Sequence, residues 1–280
     1  MSIHPIPEAR HFDPILREDL GALYTARAAR LRALAEGHEL SAFLGLAAEI
    51  TFAQQAAIRA DYAGTEPVDA ARIAASGCWL PGLETMIAQL IGRVPEGVRP
   101  HLDRLAALPE ADKITAALAL AESRFDAVDP ALAPFIWAAL SVEVAQAARA
   151  APLPQKGDEE TTYCPICGSH PVASHIHTSE RQGMRYLHCA LCDCEWHMVR
   201  AKCSCCGDAG QLDYLSFDTP EAAIRAEACN DCGGYLKVIS AERDPDVETV
   251  ADDLASLVLD DAAVSEGFGR TGFNPFALPG

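Results

Sequence analysis

The sequence predicts an α+β protein in which an all-α helical domain is followed by two tandem rubredoxin-like or zinc-ribbon modules and a C-terminal helix. The first half of the chain is rich in Ala and Leu, broken by Pro and Gly at helix-length intervals, and the second half holds four Cys-x-x-Cys pairs. A length of 280 residues is ample for two hydrophobic cores. The expected boundaries are 1–150 for the helical domain, 151–162 for a linker, 163–200 and 201–240 for the first and second ribbons, and 241–280 for the C-terminal helix and a docked tail.

Two Asp-Pro pairs support the helices of the first domain. At positions 13–14 and 129–130, Asp can serve as an N-cap and Pro as the first helical residue, where its missing N–H costs nothing. The segment 131–148 is apolar enough to consider for membrane insertion, but Glu143 and Gln146 interrupt it. A buried bundle helix without membrane insertion is therefore favoured. The predicted helices lie near residues 14–35, 39–62, 83–92, 111–127 and 130–149.

The segments on either side of the helical domain indicate the compartment of the protein and the position where the domain ends. The first residues show no charged and apolar leader ending in small residues, so a cytoplasmic protein with reduced cysteines is expected. After residue 150, a polar stretch with two prolines predicts the linker.

The Cys-x-x-Cys pairs predict two metal sites with four cysteine ligands each. Two intervening residues let both sulfurs of a tight turn, here called a knuckle, face one ion. Twenty-one residues separate the first two knuckles, 22 separate the last two, and 10 separate the second from the third. This spacing indicates two copies of one unit. The predicted ligands are Cys164, Cys167, Cys189 and Cys192 in site 1, and Cys203, Cys206, Cys229 and Cys232 in site 2.

The residue after each knuckle is also informative. Gly168, Gly207 and Gly233 follow three of the four, where a left-handed conformation turns backbone N–H groups toward sulfur. Asp193 follows the second knuckle and adopts that conformation less readily.

The four-cysteine sets leave the identity of the metal open. Tetrahedral sulfur coordination suits zinc and equally suits a single rubredoxin-type iron, so we expect two metal ions per chain, iron or zinc. Five histidines in the first ribbon make a histidine ligand conceivable, although cysteines already complete each site. They are His170, His175, His177, His188 and His197.

Three cysteines lie outside the pairs. Cys78 is predicted to be a small buried apolar residue. Cys194 and Cys205 stand beside ligands, and we interpret them as bystanders in a crowded site. The alternative interpretation is that they are additional ligands or redox-active thiols.

The C-terminal segment predicts one more helix, which opens at Asp244-Pro245 and runs to about residue 260 with an apolar stripe that includes Val258. Four carboxylates are expected outside the stripe: Glu248, Asp252, Asp253 and Asp260. The G-x-G-x-x-G pattern at 267–272 is rejected as a dinucleotide site, because it follows a helix and opens none. A docked tail better explains the three phenylalanines Phe268, Phe273 and Phe276.

Charge and missing motifs restrict the function. The formal net charge is −18, whereas a ribbon protein that binds nucleic acid needs a basic surface, so no nucleic-acid partner is expected. A cationic peptide or protein segment suits this charge better. No nucleophile–base pair, phosphate loop or open metal position is evident, so the chain is not expected to be an enzyme.

The second half of the sequence resembles the FdhE family of formate dehydrogenase accessory proteins. The resemblance rests on CPICGSHPVAS, RYLHCALCDCEWHMVRAKCSCCG, CNDCGGYLK, DPDVETVADDLASLVLD and the final NPF, within residues 160–280. It implies a cytoplasmic chaperone with rubredoxin-type metal sites on the eight paired cysteines. It also implies binding to the catalytic subunit of respiratory formate dehydrogenase before twin-arginine export. Cys194 and Cys205 do not match the family pattern.

This resemblance suggests a contact for the arginine pair of the export signal. Carboxylates in fixed geometry bind arginine well, and Asp252 and Asp253, expected to be exposed, are the candidates. Solvation of the outer helix face is the other explanation for these two residues.

Two other classes of function stay open. In the first, a rubredoxin-like electron-transfer or thiol-redox protein, the iron itself or Cys194 with Cys205 does the chemistry. In the second, the chain is a structural zinc module in another complex.

Overall fold

The computed structural model describes residues 13–64, 67–153, 161–178, 183–217 and 219–279. Most of the predicted linker, residues 154–160, lies outside this part, as do the first twelve residues.

The N-terminal half is helical, as predicted. Its described part forms a bundle around α7, which is buried along almost its whole length and contacts α2, α3, α4 and α6. The prediction of a buried bundle helix here is confirmed. No helix in the described ranges is long and apolar enough to span a bilayer. The bundle helices are α1 (Leu20–Ala35), α2 (Ser41–Ala56), α3 (Ala70–Ser76), α4 (Leu80–Leu90), α5 (Arg99–Ala107), α6 (Glu110–Ala121) and α7 (Ala133–Ala150).

The first helix begins later than predicted. Asp19 caps it by accepting a hydrogen bond from the backbone N–H of Ala22 at 2.8 Å, so the expected cap at Asp13 is wrong. Residues Ile15–Leu16 form a short strand, β1, instead. Helices α3 and α5 were not predicted, because each spans fewer than ten residues and is too short for a clear periodic pattern.

The second half forms one continuous sheet. Each ribbon contributes three antiparallel strands, and a parallel pairing of β2 with β7 joins the ribbons, with Ser174 opposite Val238. The order is β1-β4-β3-β2-β7-β6-β5, with β8 beside β7. The strands are β2 (Pro171–Ile176), β3 (Arg185–Cys189), β4 (Glu195–His197), β5 (Leu212–Leu215), β6 (Ile224–Cys229), β7 (Gly234–Ser240) and β8 (Gly269–Arg270).

The predicted C-terminal helix is two helices, α8 (Thr249–Ala255) and α9 (Leu257–Ser265), separated at Ser256. Glu248, not Asp244, is the N-cap, because its carboxylate accepts from the backbone N–H of Ala251 at 2.8 Å. Val258, expected in the buried stripe, is 61% exposed.

The tail packs against the bundle. Phe273 and Phe276 are buried, and the Phe273 ring contacts Trp137 edge to face, with the ring centroids 5.3 Å apart. Phe268 is partly buried against a smaller cluster around Tyr235 and Leu259.

The first ribbon shares its hydrophobic core with the bundle. Buried residues of both belong to one cluster, and Trp137 of α7 donates a hydrogen bond to the backbone carbonyl of Ala190 at 3.1 Å. The second ribbon contributes only Leu236 and Ile239 of β7 to the buried residues of this cluster, and it also packs on α9 through a small satellite core that includes Ala226 and Tyr235. The two ribbons therefore differ in their support, although their sequences repeat.

Candidate metal centres

Site 1 brings together the first and second knuckles. The Sγ atoms of Cys164 and Cys192 are 3.5 Å apart, and those of Cys167 and Cys189 are 3.4 Å apart. A regular tetrahedron with metal–sulfur bonds of about 2.3 Å separates its sulfurs by about 3.8 Å. The four thiols therefore need to spread by only a few tenths of an ångström to hold one ion.

The knuckle backbone supplies donors to sulfur. The N–H groups of Leu191 and Cys192 each donate to Cys189 Sγ at 3.4 Å. Asp193, the residue after this knuckle, has φ of +52°, and the three glycines in the equivalent positions also have positive φ. The three glycine positions thus have the conformation expected from the sequence, and Asp193 adopts it too, although it was expected to do so less readily.

Burial makes site 1 dependent on a cation. Burial raises the pKa of the Cys189 and Cys192 thiols well above the usual value, with hydrogen bonds to neighbouring thiols adding to the shift. Several thiolates would therefore be unfavourable here without a positive charge. A divalent ion removes that cost by binding the deprotonated sulfurs.

Site 2 is assembled by the third and fourth knuckles and is more open. The Sγ atoms of Cys203 and Cys232 are 3.8 Å apart, and Cys206 and Cys229 complete the cluster. Backbone N–H groups again face sulfur, with Gly234 donating to Cys232 Sγ at 3.4 Å. Cys206 and Cys232 are exposed, whereas three of the four site 1 cysteines are buried.

The structure also places the three unpaired cysteines. Cys194 is buried, with the Arg149 guanidinium 3.9 Å from its sulfur. Cys205 is exposed next to site 2, and burial of part of its side chain raises its pKa, against a hydrogen bond with Cys232 that lowers it. Cys78 is exposed, so the expectation of a buried apolar residue is wrong. Its thiol lies at the turn between α3 and α4, where Trp79 fills the core instead.

The expectation of exposed Asp252 and Asp253 is wrong. Asp252 is 2% exposed and Asp253 is 0% exposed. Both carboxylates pair with cationic side chains of the same chain. Arg30 binds Asp252 with two hydrogen bonds of 2.7 and 2.9 Å. Lys237 and Arg270 pair with Asp253 at 3.0 and 2.8 Å. These aspartates hold α8 to α1, the sheet and the tail, so they are not available to a partner's arginines.

The sequence did not reveal a group of histidines around Glu195 in the first ribbon. His175, His177 and His188 all lie within hydrogen-bond distance of its carboxylate. The His-x-His spacing at 175 and 177 was the available signal, because alternate residues of a strand share a face.

Comparison with known proteins covers nearly the whole chain. Three family models match consecutive segments: "FdhE, N-terminal" at 12–162, "FdhE, central domain" at 163–200 and "FdhE, C-terminal domain" at 201–277. A "Protein FdhE homolog" from Cronobacter sakazakii is 41% identical over 306 residues, covering 100% of this chain and 99% of that one. One from Yersinia pestis (strain Pestoides F) is 41% identical, covering 97% and 93%. The crystal structure of the FdhE protein from Pseudomonas aeruginosa matches with a TM-score of 0.84 at 34% identity, covering 96% of this chain and all of that one.

Proposed function

Since this chain belongs to the FdhE family, we propose that it is an accessory protein that assists the assembly of respiratory formate dehydrogenase. It acts in the cytoplasm, where it binds the catalytic subunit before twin-arginine export. The observation that carries this proposal is the match along the full chain, which includes both the bundle and the ribbons.

In this function the paired cysteines are the ligands of two metal ions, iron or zinc. Each cluster offers four sulfurs to one ion, so a filled site has no open coordination position for a substrate. The ions are structural and stabilise the folded ribbons. Site 1 fixes the first ribbon to the bundle, and site 2 fixes the second ribbon beside the tail. The chain is an assembly chaperone and not an enzyme.

A groove of about 620 Å³ between β5 and α9 is the surface we assign to the catalytic subunit. β5 is an edge strand, so its outer backbone groups are free to pair with an added strand. Phe217 lines the groove and is 60% exposed, which is unusual for a large apolar side chain beside a sheet edge. Glu266 at the rim and the acidic chain as a whole favour a cationic segment as the ligand.

A second candidate function is rubredoxin-like electron transfer, favoured by the exposure of Cys206 and Cys232. An exposed four-sulfur iron site could exchange electrons with a docked protein. Reversible reduction of the bound iron, coupled to turnover by a partner, is the observation that would distinguish this function from a structural metal.

Affinity capture of the full-length chain from its own host tests the main proposal. The catalytic subunit of formate dehydrogenase should be recovered with the chain, and metal analysis should give at least two tightly bound ions, one for each four-cysteine site. Absence of that subunit from a capture in which both four-cysteine sites are filled would contradict the proposal. A matched capture with Cys203 and Cys206 replaced by Ser shows whether binding needs site 2.

A further inference from the structure

One face of the first ribbon carries a cluster of histidines around a buried carboxylate. Strand register places His175 opposite Tyr186 and His188 opposite Glu195, so these side chains share a face of the sheet. His177 follows on the same side, because it lies two residues beyond His175. None of these residues belongs to the four-cysteine sites.

The distances within the cluster are those of direct contact. Glu195 Oε1 lies 3.1 Å from His175 Nδ1 and 3.3 Å from His188 Nδ1, and Glu195 Oε2 lies 2.6 Å from His177 Nε2. The rings of His175 and His177 lie with their centroids 4.0 Å apart and their planes tilted by 34°. One ligand atom from each of His175, His177 and Glu195 can be found within 4.8 Å of the others.

Neighbouring ion pairs take up the arginine nearest to Glu195, so that histidines are its partners. In the part of the chain that the structure describes, Arg27 pairs with Asp193 and Glu248, while histidines alone pair with Glu195. The Glu195 side chain is only 8% exposed, so its charge is poorly solvated. His175 Nε2 is buried and has no hydrogen-bond partner among the described residues.

The cluster borders a cavity of about 420 Å³ between the sheet, α1 and the segment before α8. His175, His188 and Glu195 line it from the ribbon, and Leu23 and Ala26 line it from the helix. A metal held at this wall would have open coordination positions facing a space that admits water or a small ligand. A filled four-cysteine site, in contrast, has no open coordination position for water or a small ligand.

We propose that His175, His177 and Glu195 form a third metal site, which binds one divalent transition-metal ion such as Zn²⁺ or Fe²⁺. Two imidazoles and one carboxylate are a ligand set that both ions accept, and they leave coordination positions for water or a ligand. His188 is a positioning residue, because it bridges Glu195 and Asp193, at 3.3 and 3.1 Å, and thereby fixes the carboxylate.

Cobalt(II) titration of the full-length chain tests this site. Thiolate-bound Co²⁺ gives strong charge-transfer absorption, whereas a site of nitrogen and oxygen ligands gives only weak visible bands. We expect three equivalents to survive gel filtration, with the third adding visible absorption but no sulfur charge transfer. Two equivalents in the wild-type chain would overturn the proposal and leave a hydrogen-bonded cluster only.

Variants assign the third ion to its ligands. Gln can still donate to Glu195, so His175→Gln with His177→Gln preserves the hydrogen bonds but removes both imidazoles. This variant should lose the third equivalent, with affinity reduced by more than about 100-fold, and His188→Gln should weaken it by about 10-fold. His101→Gln on α5 is the matched control and should bind three equivalents of Co²⁺. If the charge-transfer absorption of thiolate-bound Co²⁺ is unchanged in a variant, its ribbons are folded. A third equivalent that persists in the double variant or in Glu195→Gln would overturn the assignment.

Discussion

Arg27 on α1 donates a hydrogen bond of 2.8 Å to Asp193, the residue that directly follows the second knuckle of site 1. Both side chains are almost fully buried, and Tyr24 and His188 also bond to the same carboxylate. From α7, Arg149 donates to the carbonyl oxygen of Cys192 at 2.8 Å. The bundle therefore positions this knuckle directly, in addition to any metal ion.

The Arg27 contact predicts a large effect on stability. Arg27→Ala leaves Glu248 buried without its cation and Asp193 with His188 alone, which should lower the free energy of unfolding by about 3 kcal/mol or more. Urea unfolding of the variant and the wild-type chain measures this loss in the free energy of unfolding. Arg32→Ala is the control, because Arg32 is half-exposed and Arg93 still pairs with Glu49, so the loss should be about 1 kcal/mol or less. Equal losses in the two variants would contradict a special role for the buried pair.

The two metal sites should differ in what they stabilise. If the first ribbon were an independent unit held together by its metal, Cys164→Ser with Cys167→Ser would unfold that ribbon and spare the helical domain. Because that ribbon shares a core with the bundle, we now expect the variant to destabilise both, with a loss on the order of 10 kcal/mol if the metal is not retained.

The matched variant, Cys203→Ser with Cys206→Ser, removes site 2, which lies outside the shared core. It should leave the bundle helices folded. Helical circular dichroism and limited proteolysis distinguish the outcomes. Intact bundle helices in both variants would show that site 1 supports only its own ribbon.

Exposure predicts the order of metal loss. A chelator reaches site 2 through the exposed sulfurs of Cys206 and Cys232, whereas site 1 is mostly buried, so site 2 should lose its ion first. Time-resolved release of the two cysteine-bound ions should show two phases, and the Cys203→Ser, Cys206→Ser variant should lack the fast one. A single phase, or a fast phase that this variant retains, would be inconsistent with the difference in burial.

The pH dependence of Asp253→Asn follows from its ion pairs. Burial alone raises the pKa of Asp253, but Arg270 and Lys237 outweigh burial, so the pKa lies below its ordinary value. The stabilisation is then full above the unfolded pKa of about 3.9 and is lost as pH falls through the lower folded pKa. At pH 7 the variant should be less stable than wild type by about 3 kcal/mol.

This difference should shrink as the pH is lowered below about 4, and unfolding of both chains by urea at each pH measures it. Metal loss in acid affects both chains alike, so the difference between them isolates Asp253. Asp261→Asn, at an exposed position on α9, is the control and should differ little from wild type at any pH. A difference that grows in acid would refute the assigned direction.

The groove beside β5 predicts a selective loss of partner binding. Phe217→Ser should weaken capture of the formate dehydrogenase catalytic subunit by about 10-fold or more, as expected for an apolar anchor. Ile91→Ser is the matched control, because Ile91 is 47% exposed on the bundle and should not affect capture. Equal binding by both variants would move the contact surface elsewhere.

The sequence by itself determined the features that depend on neighbouring residues. A Cys-x-x-Cys turn places its sulfurs together through local geometry, and the spacing of the pairs was enough to predict which knuckles meet in each cluster. The positive φ at Asp193 and at the three glycines is likewise local. Ala-rich and Leu-rich segments predicted a helical N-terminal half, because helix propensity summed over a helix-length segment is informative.

Only the tertiary structure decided which surfaces are buried. Asp252 and Asp253 follow the polar pattern of an exposed helix face, yet Arg30, Lys237 and Arg270 reach them from elements distant in the chain. Likewise, the pairing of β2 with β7 unites ribbons that the sequence presents as two separate repeats. Burial and charge pairing depend on long-range contacts, which a pattern of neighbouring residues does not encode, whereas turns and helices depend on the chain within a few residues.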